Sequence, residues 1–402
     1  MSTPPPQPPA EPGAEAARIA GGSALVLAGG LLDRGLRFVL NWYLAGALGP
    51  ASFGLVAWAS TWVATLASFA PLGLDTGIVL FVARYRKTQD RAREKGALLF
   101  GLAISVVIGL VCAAALGGVA MAWIDDSDRA QALLWSAPAV ALWTPLLFVV
   151  GSIRAVKDMR LSVIAYQVVL PVVLLGGSVA AVMSGLGVTG ALGALSVATL
   201  ASLATGVVLA LRHHRGLLTD RSIVPHWEPG KLLKFSIPQG LTAAAFRLNT
   251  YMDLLMLGAL ASNTDVGVYK IAASLAAFGS IPSNAVASMF NPFIAELVFV
   301  KELVRLDRLL KTVTRWLILF SAPVYLVLLV LPDVILGIYE PAYIVALMPL
   351  VLLVGGQAVQ TACAPTMRLI PMSGHSMLNL VNGVVALVLN VVLNAVLIPR
   401  MG

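Results

Sequence analysis

The sequence predicts an all-α, polytopic membrane protein built as two pseudo-symmetric six-helix lobes around a central cavity, with about eleven spans present. Hydrophobic residues make up 59% of its 402 residues and charged residues 11%, whereas soluble domains are about one quarter charged. A chain this apolar can lie in the hydrocarbon core of a bilayer, provided that its backbone N–H and C=O groups are hydrogen-bonded within helices or closed β-barrels. The sequence lacks the alternating polar and apolar strands of a barrel, so helices are predicted.

Apolar runs of about 20 residues, the length of helix that crosses a bilayer, define the individual elements. In chain order they lie near 21–44, 53–81, 97–123, 131–152, 161–184, 188–211, 235–260, 267–294, 316–338, 345–367 and 377–398. The alternate loops 49–52, 125–128 and 261–265 are very short. An outward-facing active site is therefore not expected.

The charge of the loops alternates along the chain. One set of loops carries twenty lysines and arginines, from Arg84 to Arg368, and the other set only Arg129 and Arg400. Short loops rich in lysine and arginine remain in the cytoplasm. The N-terminus is therefore predicted to be cytoplasmic, and the net charge of +8 is explained by membrane topology and anionic lipid, without nucleic acid.

The predicted domain organisation follows from these spans. Residues 1–17 form a disordered, proline-rich cytoplasmic segment, 18–212 an N-lobe, 213–233 a cytoplasmic inter-lobe loop, and 234–402 an incomplete C-lobe. The sequence Gly46-Ala-Leu48 ends the first span and Gly258-Ala-Leu260 the seventh, which indicates a parallel repeat. A complete second lobe requires a twelfth span, so the chain is expected to be truncated at Gly402.

The sequence offers little for an enzyme. It has no phosphate-binding G-x-x-x-x-G-K-[ST] motif and no cluster of residues with metal-ligand spacing. The two cysteines, Cys112 and Cys363, lie within apolar runs and are interpreted as small apolar residues. We therefore expect a protein that is not an enzyme and that needs no cofactor.

Polar residues within the first span are the main functional signal. Asp33, Arg37 and Asn41 follow one another at intervals of four on one helical face, with Arg34 beside them. Charged residues are costly in a bilayer and usually face a partner or a water-filled cavity. Asp33 and Arg37 either neutralise each other and fix helix packing, or line an anion-attracting cavity; snorkelling is a third alternative. The cavity is favoured because Arg34 then needs water or an anion.

The seventh span repeats this pattern with Arg247 and Asp253 in its middle. They are six positions apart, about 120° around a helix, and therefore do not pair within it. In the repeat alignment Asn41 aligns with Asp253, and Arg34 falls within one position of Arg247. Transporters place substrate between such repeats, where Arg34, Arg37 and Arg247 are predicted to converge.

Other polar residues have simpler interpretations. Lys270 is interpreted as snorkelling to the outer interface. Asp75 serves either as a helix cap or in ion coupling. A stripe of four asparagines is interpreted as hydrogen-bonding contact between helices; it comprises Asn379, Asn382, Asn390 and Asn394.

Several short motifs carry a resemblance to a known family. They are Leu48-Gly-Pro-x-x-Phe53-Gly54, Leu72-Gly-Leu-Asp75-Thr76, Leu233-Lys-Phe-Ser-Ile-Pro238, Asp253 followed by Val266-Gly-Val-Tyr269, and Leu397-Ile-Pro-Arg400. With these motifs, residues 20–402 resemble the polysaccharide-export flippases often called Wzx, of the multidrug/oligosaccharidyl-lipid/polysaccharide superfamily.

The resemblance implies a flippase of the bacterial cytoplasmic (inner) membrane. It would move a polyprenyl-diphosphate-linked oligosaccharide to the outer leaflet for surface polysaccharide, with Arg34, Arg37 and Arg247 holding the diphosphate in a cavity shared with Asn41 and Asp253. Asp33, Asp75 or Asp253 would couple proton or sodium movement, and polymerase and export machinery would be partners. Two alternatives remain open: export of drugs or small metabolites by the same fold, and a non-transport role in a polysaccharide-assembly complex or as a polytopic glycosyltransferase.

Overall fold

The computed structural model describes residues 12–156, 158–281, 294, 297–298, 300, 302–367, 369–372 and 376–401. Within these residues all the regular secondary structure is helical, which confirms the predicted all-α class. The helices are α1 Pro12–Phe69, α2 Leu74–Lys87, α3 Arg91–Trp123, α4 Ser127–Ala155, α5 Met159–Val163, α6 Leu170–Met183 and α7 Gly187–Leu218. They continue with α8 Pro229–Leu260, α9 Asn263–Ala276, α10 Leu303–Val330, α11 Pro332–Gly337, α12 Leu347–Met367, α13 Leu369–Met372 and α14 Ser376–Met401.

The first predicted span and most of the second form one kinked helix, α1, and the second continues after a turn into α2. The kink lies at Gly49, whose φ of 73° suits a residue without Cβ, and Pro50 follows it without an N–H to donate. Helix α1 begins at Pro12, inside the segment predicted to be disordered, because proline is favoured at a first helical position and alanines and Glu15 follow it. Residues 1–11 lie outside the described residues.

Eight described stretches are long and apolar enough to cross a membrane, and the first of them, Leu25–Lys87, contains two predicted spans. The predicted seventh span coincides with α8, whose polar residues lower its hydropathy. The predicted eighth span begins with α9, but residues 282–293 lie outside the described residues. The chain is a multi-pass membrane protein, and the count of eleven spans stays a prediction.

The helices are described here by the two lobes that the sequence predicts, called the N-lobe (α1–α7) and the C-lobe (α8–α14). Within the N-lobe α4 packs against α1, α2, α3 and α7, and α6 packs against α7. Within the C-lobe α8 packs against α14, and α12 packs against α9 and α10. The two lobes meet where α1 contacts α8 and α9, and where α2 contacts α8. Any site between the lobes is therefore bordered by α1 and α8, the helices that carry the predicted site residues.

Glycines allow the backbones of the two lobes to approach closely. Near the predicted outer side, a Cβ on Gly54 would overlap the carbonyl of Asn263, and one on Gly267 the carbonyl of Pro50. Near the predicted inner side, Gly73 and Gly240 lie against each other in the same way. Gly73 has a φ of 72°, so two constraints favour glycine there.

The predicted fifth span contains a π-helical turn, Ile164–Val169, between α5 and α6. Such turns are rare, appear mostly as single turns inside α-helices, and are frequent at functional sites. This turn packs against α1, where a Cβ on Gly29 would overlap Gln167 and Val163. It therefore places its residues beside the inner half of the first span.

Polar contacts fix the inter-lobe loop to the end of the N-lobe that is predicted to be cytoplasmic. The backbone N–H of His226 donates to Ala92 O at 2.9 Å, and Lys95 Nζ donates to Asp220 O at 2.7 Å. Glu228 pairs with Arg93 and accepts a 3.0 Å bond from the Tyr85 hydroxyl. Burial, together with this bond to Glu228, raises the pKa of Tyr85 to about 12. The loop is thus an ordered connection between the lobes.

Candidate site between the lobes

Asp33 and Arg37 form an ion pair on α1. Arg37 Nε donates to Asp33 Oδ1 at 2.9 Å, and the arginine and aspartate side chains remain 37% and 25% exposed, respectively. The mutual neutralisation considered from the sequence is therefore present. It does not exclude a cavity, because both side chains keep accessible surface and Arg37 has further N–H donors.

Arg34, one position from this pair, is exposed and makes no hydrogen bond or ion pair with any other described residue. The neighbouring Gly30 and Gly35 have open space where a Cβ would lie. A guanidinium on an apolar helix retains its charge and needs water or an anion as a partner. The inner half of α1 therefore presents one neutralised and one uncompensated arginine.

Asn41 connects the two lobes. Its side-chain amide donates to the Ser274 hydroxyl on α9 at 3.4 Å, and one turn away the rings of Phe38 and Phe278 meet edge to face at 5.0 Å. These contacts place the outer half of α1 against the C-lobe. Asn41 thus lies at the end of the candidate site where the lobes are closed.

Arg247 and Arg37 approach a common residue, Tyr166, from opposite lobes. Arg247 is exposed on α8 and has no bonded partner among the described residues. Tyr166 belongs to the π-helical turn and lies within electrostatic range of Arg37, Arg247, Asp33 and Tyr251. The convergence of Arg34, Arg37 and Arg247 stays a prediction, and no contact among these three arginines is found in the described residues.

Tyr166 was not identified from the sequence. Its ring packs edge to face on Trp143 at 6.5 Å, and its hydroxyl makes no hydrogen bond to a described residue. In the sequence Tyr166 is one residue of an apolar run, so its hydropathy does not distinguish it from its neighbours. The π-helical turn that positions it also has no simple sequence signature. It adds a neutral hydroxyl donor to the two guanidinium groups.

Lys270 is a further basic residue on α9, the helix of the C-lobe that packs against α1. It is half-buried, two turns into α9, within electrostatic range of Arg37. An ammonium in this position adds positive charge to the interface between α1 and α9. The interpretation of Lys270 as snorkelling to the outer interface stays a prediction.

Asp253 is held by neighbours within the C-lobe. Asn390 and Asn394 donate to its Oδ1 at 2.6 and 2.9 Å, and the Tyr269 hydroxyl donates to Oδ2 at 2.9 Å. The carboxylate thus joins α8, α9 and α14. This confirms the interpretation of Asn390 and Asn394 as contacts between helices, and it gives Asp253 a partner set that the sequence did not predict.

Asp75 lies in the first turn of α2, after the left-handed Gly73. Its carboxylate makes no hydrogen bond to a described residue, and the cap position itself lacks a side-chain bond. Both the capping and the ion-coupling interpretation stay open. Among the described residues no group of three or more His, Cys, Asp or Glu is arranged to hold a metal ion.

The comparisons with known proteins agree with this architecture. The family model described as polysaccharide biosynthesis protein matches residues 19–298. No curated protein sequence matches the chain significantly. A structure of the MATE multidrug transporter DinF-BH is similar at 17% identity, covering 99% of this chain and 98% of that chain with a TM-score of 0.61.

Two further structures show the same fold. One is an outward-facing multidrug resistance MATE family transporter of the MOP superfamily, 15% identical, covering 96% of this chain and 88% of that chain with a TM-score of 0.62. The other is a MOP superfamily transporter from Pyrococcus furiosus, titled for the reverse polarity of its binding pocket, 15% identical, covering 95% of each chain with a TM-score of 0.53. The chain therefore belongs to the polysaccharide biosynthesis protein family and has the fold of MATE-like membrane transporters of the MOP superfamily.

Proposed function

We propose that the protein is a flippase that moves a polyprenyl-diphosphate-linked oligosaccharide from the inner to the outer leaflet, for O-antigen or exopolysaccharide synthesis. The observation that carries this proposal is a pair of exposed arginines without a partner among the described residues, Arg34 on α1 and Arg247 on α8, two helices that contact each other between the lobes. Arginine binds phosphate oxygens bidentately, so these groups suit a diphosphate.

The physical task of such a protein is to lower the cost of moving polar groups through hydrocarbon. Each sugar hydroxyl that leaves water without a new hydrogen bond costs on the order of 2–7 kcal/mol, and a charged phosphate costs far more. Between the lobes, Asn41 and Tyr166 supply neutral polar groups, and the arginines supply charge. The polyprenyl tail would remain in lipid throughout.

The membrane potential favours outward release of an anionic substrate. With the inside negative, each negative charge that crosses gains about 2.3 kcal/mol per 100 mV. A diphosphate diester carries roughly two such charges. The membrane potential therefore helps the substrate to leave the cationic site at the outer side. We propose alternating access between the lobes, with the N-terminus in the cytoplasm of a bacterial cell.

An ion gradient is the proposed source of further drive, and Asp253 is the carboxylate best suited to couple it. Its two oxygens accept three hydrogen bonds, from Tyr269, Asn390 and Asn394, and no described lysine or arginine is paired with it. Asp33 by contrast is already paired with Arg37. A proton or sodium ion that binds Asp253 would change the contact between α8 and α14.

Two other functions fit the membrane fold less well. The similar structures include multidrug transporters, but export of cationic drugs favours acidic and aromatic cavities, and here arginines and Lys270 border the interface. A non-transport component of a polysaccharide-assembly complex would not require uncompensated arginines on membrane-spanning helices. Polymerase and export machinery are proposed as partners of the flippase.

A gene deletion tests the proposal. Deletion should abolish surface glycan and cause lipid-linked oligosaccharide to accumulate on the inner leaflet, and the wild-type gene should reverse both effects. Accumulation is measured by lipid extraction and by the accessibility of the glycan in oriented vesicles. Normal outer-leaflet oligosaccharide in the deletion strain, with no second flippase gene present, would exclude this function.

A further inference from the structure

Arg129 joins the two lobes at the end of the molecule that the loop charges assign to the outer side. It lies in the first turn of α4, a helix that otherwise packs within the N-lobe. Its Nη1 donates to Gly258 O at 2.8 Å, its Nη2 to Ala261 O at 3.3 Å, and its Nε to Asn263 Oδ1 at 3.0 Å. Gly258 lies in the last turn of α8, Ala261 is its C-cap and Asn263 is the first residue of α9, so all three acceptors lie at or beside the α8–α9 turn.

The acceptors make this contact specific for arginine. Gly258 and Ala261 carry carbonyls at the C-terminal end of α8, where unbonded carbonyls and the helix dipole favour a cation. A planar guanidinium with five N–H groups reaches two carbonyls and an amide oxygen at once, whereas an ammonium is a point charge. Asp126, on α4's own N-cap, is 3.4 Å from Arg129 Nε and orients the guanidinium from the N-lobe side.

Close apolar packing surrounds the contact. Trp58 lies directly against Gly258, and the Arg129 guanidinium is 5.8 Å from the centroid of the Trp58 ring. On the same side, Gly54 lies against Asn263. The polar and apolar contacts together close the seam between α1 and the α8–α9 turn.

We propose that Arg129 is an inter-lobe latch, which holds the lobes closed at the predicted outer end and must release the α8–α9 turn before substrate leaves there. This inference rests on the alternating access of the proposed function. The latch is built from backbone carbonyls and one amide oxygen, so it opens by separation of the lobes and not by titration of its acceptors. It lies apart from the residues proposed to bind substrate.

Distance measurements between spin labels test the latch without any glycan. In a background with Cys112→Ser and Cys363→Ser, cysteines replace Asp128 on α4 and Thr264 on α9, two exposed positions on opposite sides of the seam. Pulsed electron–electron double resonance in nanodiscs should show mainly a short distance. Arg129→Ala should increase the long-distance population about tenfold, because three hydrogen bonds to a charged group are lost, and Arg129→Lys should increase it less.

Two further variants serve as controls for the distance measurement. Asn263→Ala removes a single acceptor and should give a smaller opening, while Arg305→Ala, at an exposed cation 72% accessible on α10, should give none. An unchanged distance distribution in Arg129→Ala protein that elutes as folded would overturn the latch. Export assays separate the two proposals: if Arg129→Ala opens the seam but Arg247→Ala exports normally, the latch stands and the flippase site fails.

Discussion

Arg37 Nε donates to Asp33 Oδ1 at 2.9 Å across one turn of α1, while Arg34 between them in sequence has no described partner. The pair cancels one positive charge, whereas Arg34 and Arg247 are guanidinium groups with no ion pair to any residue that the structure describes. We therefore expect Arg34 and Arg247 to contribute more to anion binding than Arg37. The side chain of Arg37 also fixes the conformation of Asp33.

Removing a free arginine should stop transport without unfolding the protein. We expect Arg34→Ala or Arg247→Ala to lower surface glycan at least about tenfold, the effect of losing roughly 1.4 kcal/mol or more of phosphate binding. Lysine at either position should restore activity only in part, because it lacks the bidentate geometry. The readout is surface glycan per molecule of membrane-inserted protein, with Arg305→Ala as control. Normal export by both alanine variants would contradict the site.

The Tyr166 hydroxyl should matter separately from its ring. Tyr166→Phe keeps the edge-to-face contact with Trp143 and removes the unbonded hydroxyl, so it should reduce transport several-fold and leave the melting temperature nearly unchanged. Tyr166→Leu should lower both. Tyr325→Phe is the contrasting control, since it removes a 2.7 Å bond to Thr361 inside the C-lobe and should lower stability more than transport. Equal transport by Tyr166→Phe and wild type would remove Tyr166 from the site.

Asp253→Asn tests ion coupling with little change of shape. The new amide would present donors to Asn390 and Asn394, which already donate there, so we expect destabilisation of about 1–3 kcal/mol and loss of the ion dependence of transport. Asn382→Ala, at an exposed position on the same helix, should change neither. Transport by Asp253→Asn with an unaltered response to proton and sodium gradients would exclude Asp253 as the coupling residue.

The sequence predicts the helices well and the contacts between them poorly. Hydropathy and loop charge locate the spans because each span must satisfy its own backbone and bury its own surface, which are local properties. The partners of Asp253 come from residues 137 and 141 positions away, which no local pattern reveals. Tyr166 was missed for a different reason, since its orientation depends on a π-helical turn. The asparagine stripe was predicted in part. Hydrogen bonds between helices were expected for Asn390 and Asn394, but Asp253 was not identified as their acceptor.

A pair of glycine substitutions should change stability in opposite directions. Gly240→Ala would put a Cβ into the backbone of Leu72 and Gly73, which cannot move aside like a flexible side chain, so it should destabilise by about 1–3 kcal/mol. Gly176→Ala, in α6 with nothing within 4 Å of its Cβ position, should stabilise by about 0.5–1 kcal/mol through helix propensity. Thermal unfolding in detergent measures both. Equal shifts for the two variants would contradict the close approach of α2 and α8.

The buried cluster of Glu94, Arg86 and His214, at the predicted cytoplasmic end of the N-lobe, should make the stability of the protein depend on pH in the acid range. Glu94, with only 7% of its side chain exposed, accepts a 2.7 Å bond from Arg86 and lies 3.7 Å from His214. Burial alone would raise the pKa of Glu94, but the bonds to His214 and Arg86 outweigh it and lower the pKa below its ordinary 4.5.

A carboxylate whose pKa is lowered on folding stabilises the fold above its unfolded pKa and loses that contribution as pH falls through the folded value. Wild type should therefore exceed Glu94→Gln in stability by about 1–2 kcal/mol from pH 7 down to about pH 4.5, an amount limited by the partial exposure of Arg86. Below that range the difference should shrink, because both proteins then carry a neutral side chain at position 94. Melting temperatures of the two proteins at half-unit intervals from pH 7 to 3.5 provide the measurement, and Glu302→Gln, at an exposed ion pair with Arg305, is the control. A constant difference across the whole range would show that the stabilisation comes from packing and not from the charge of Glu94.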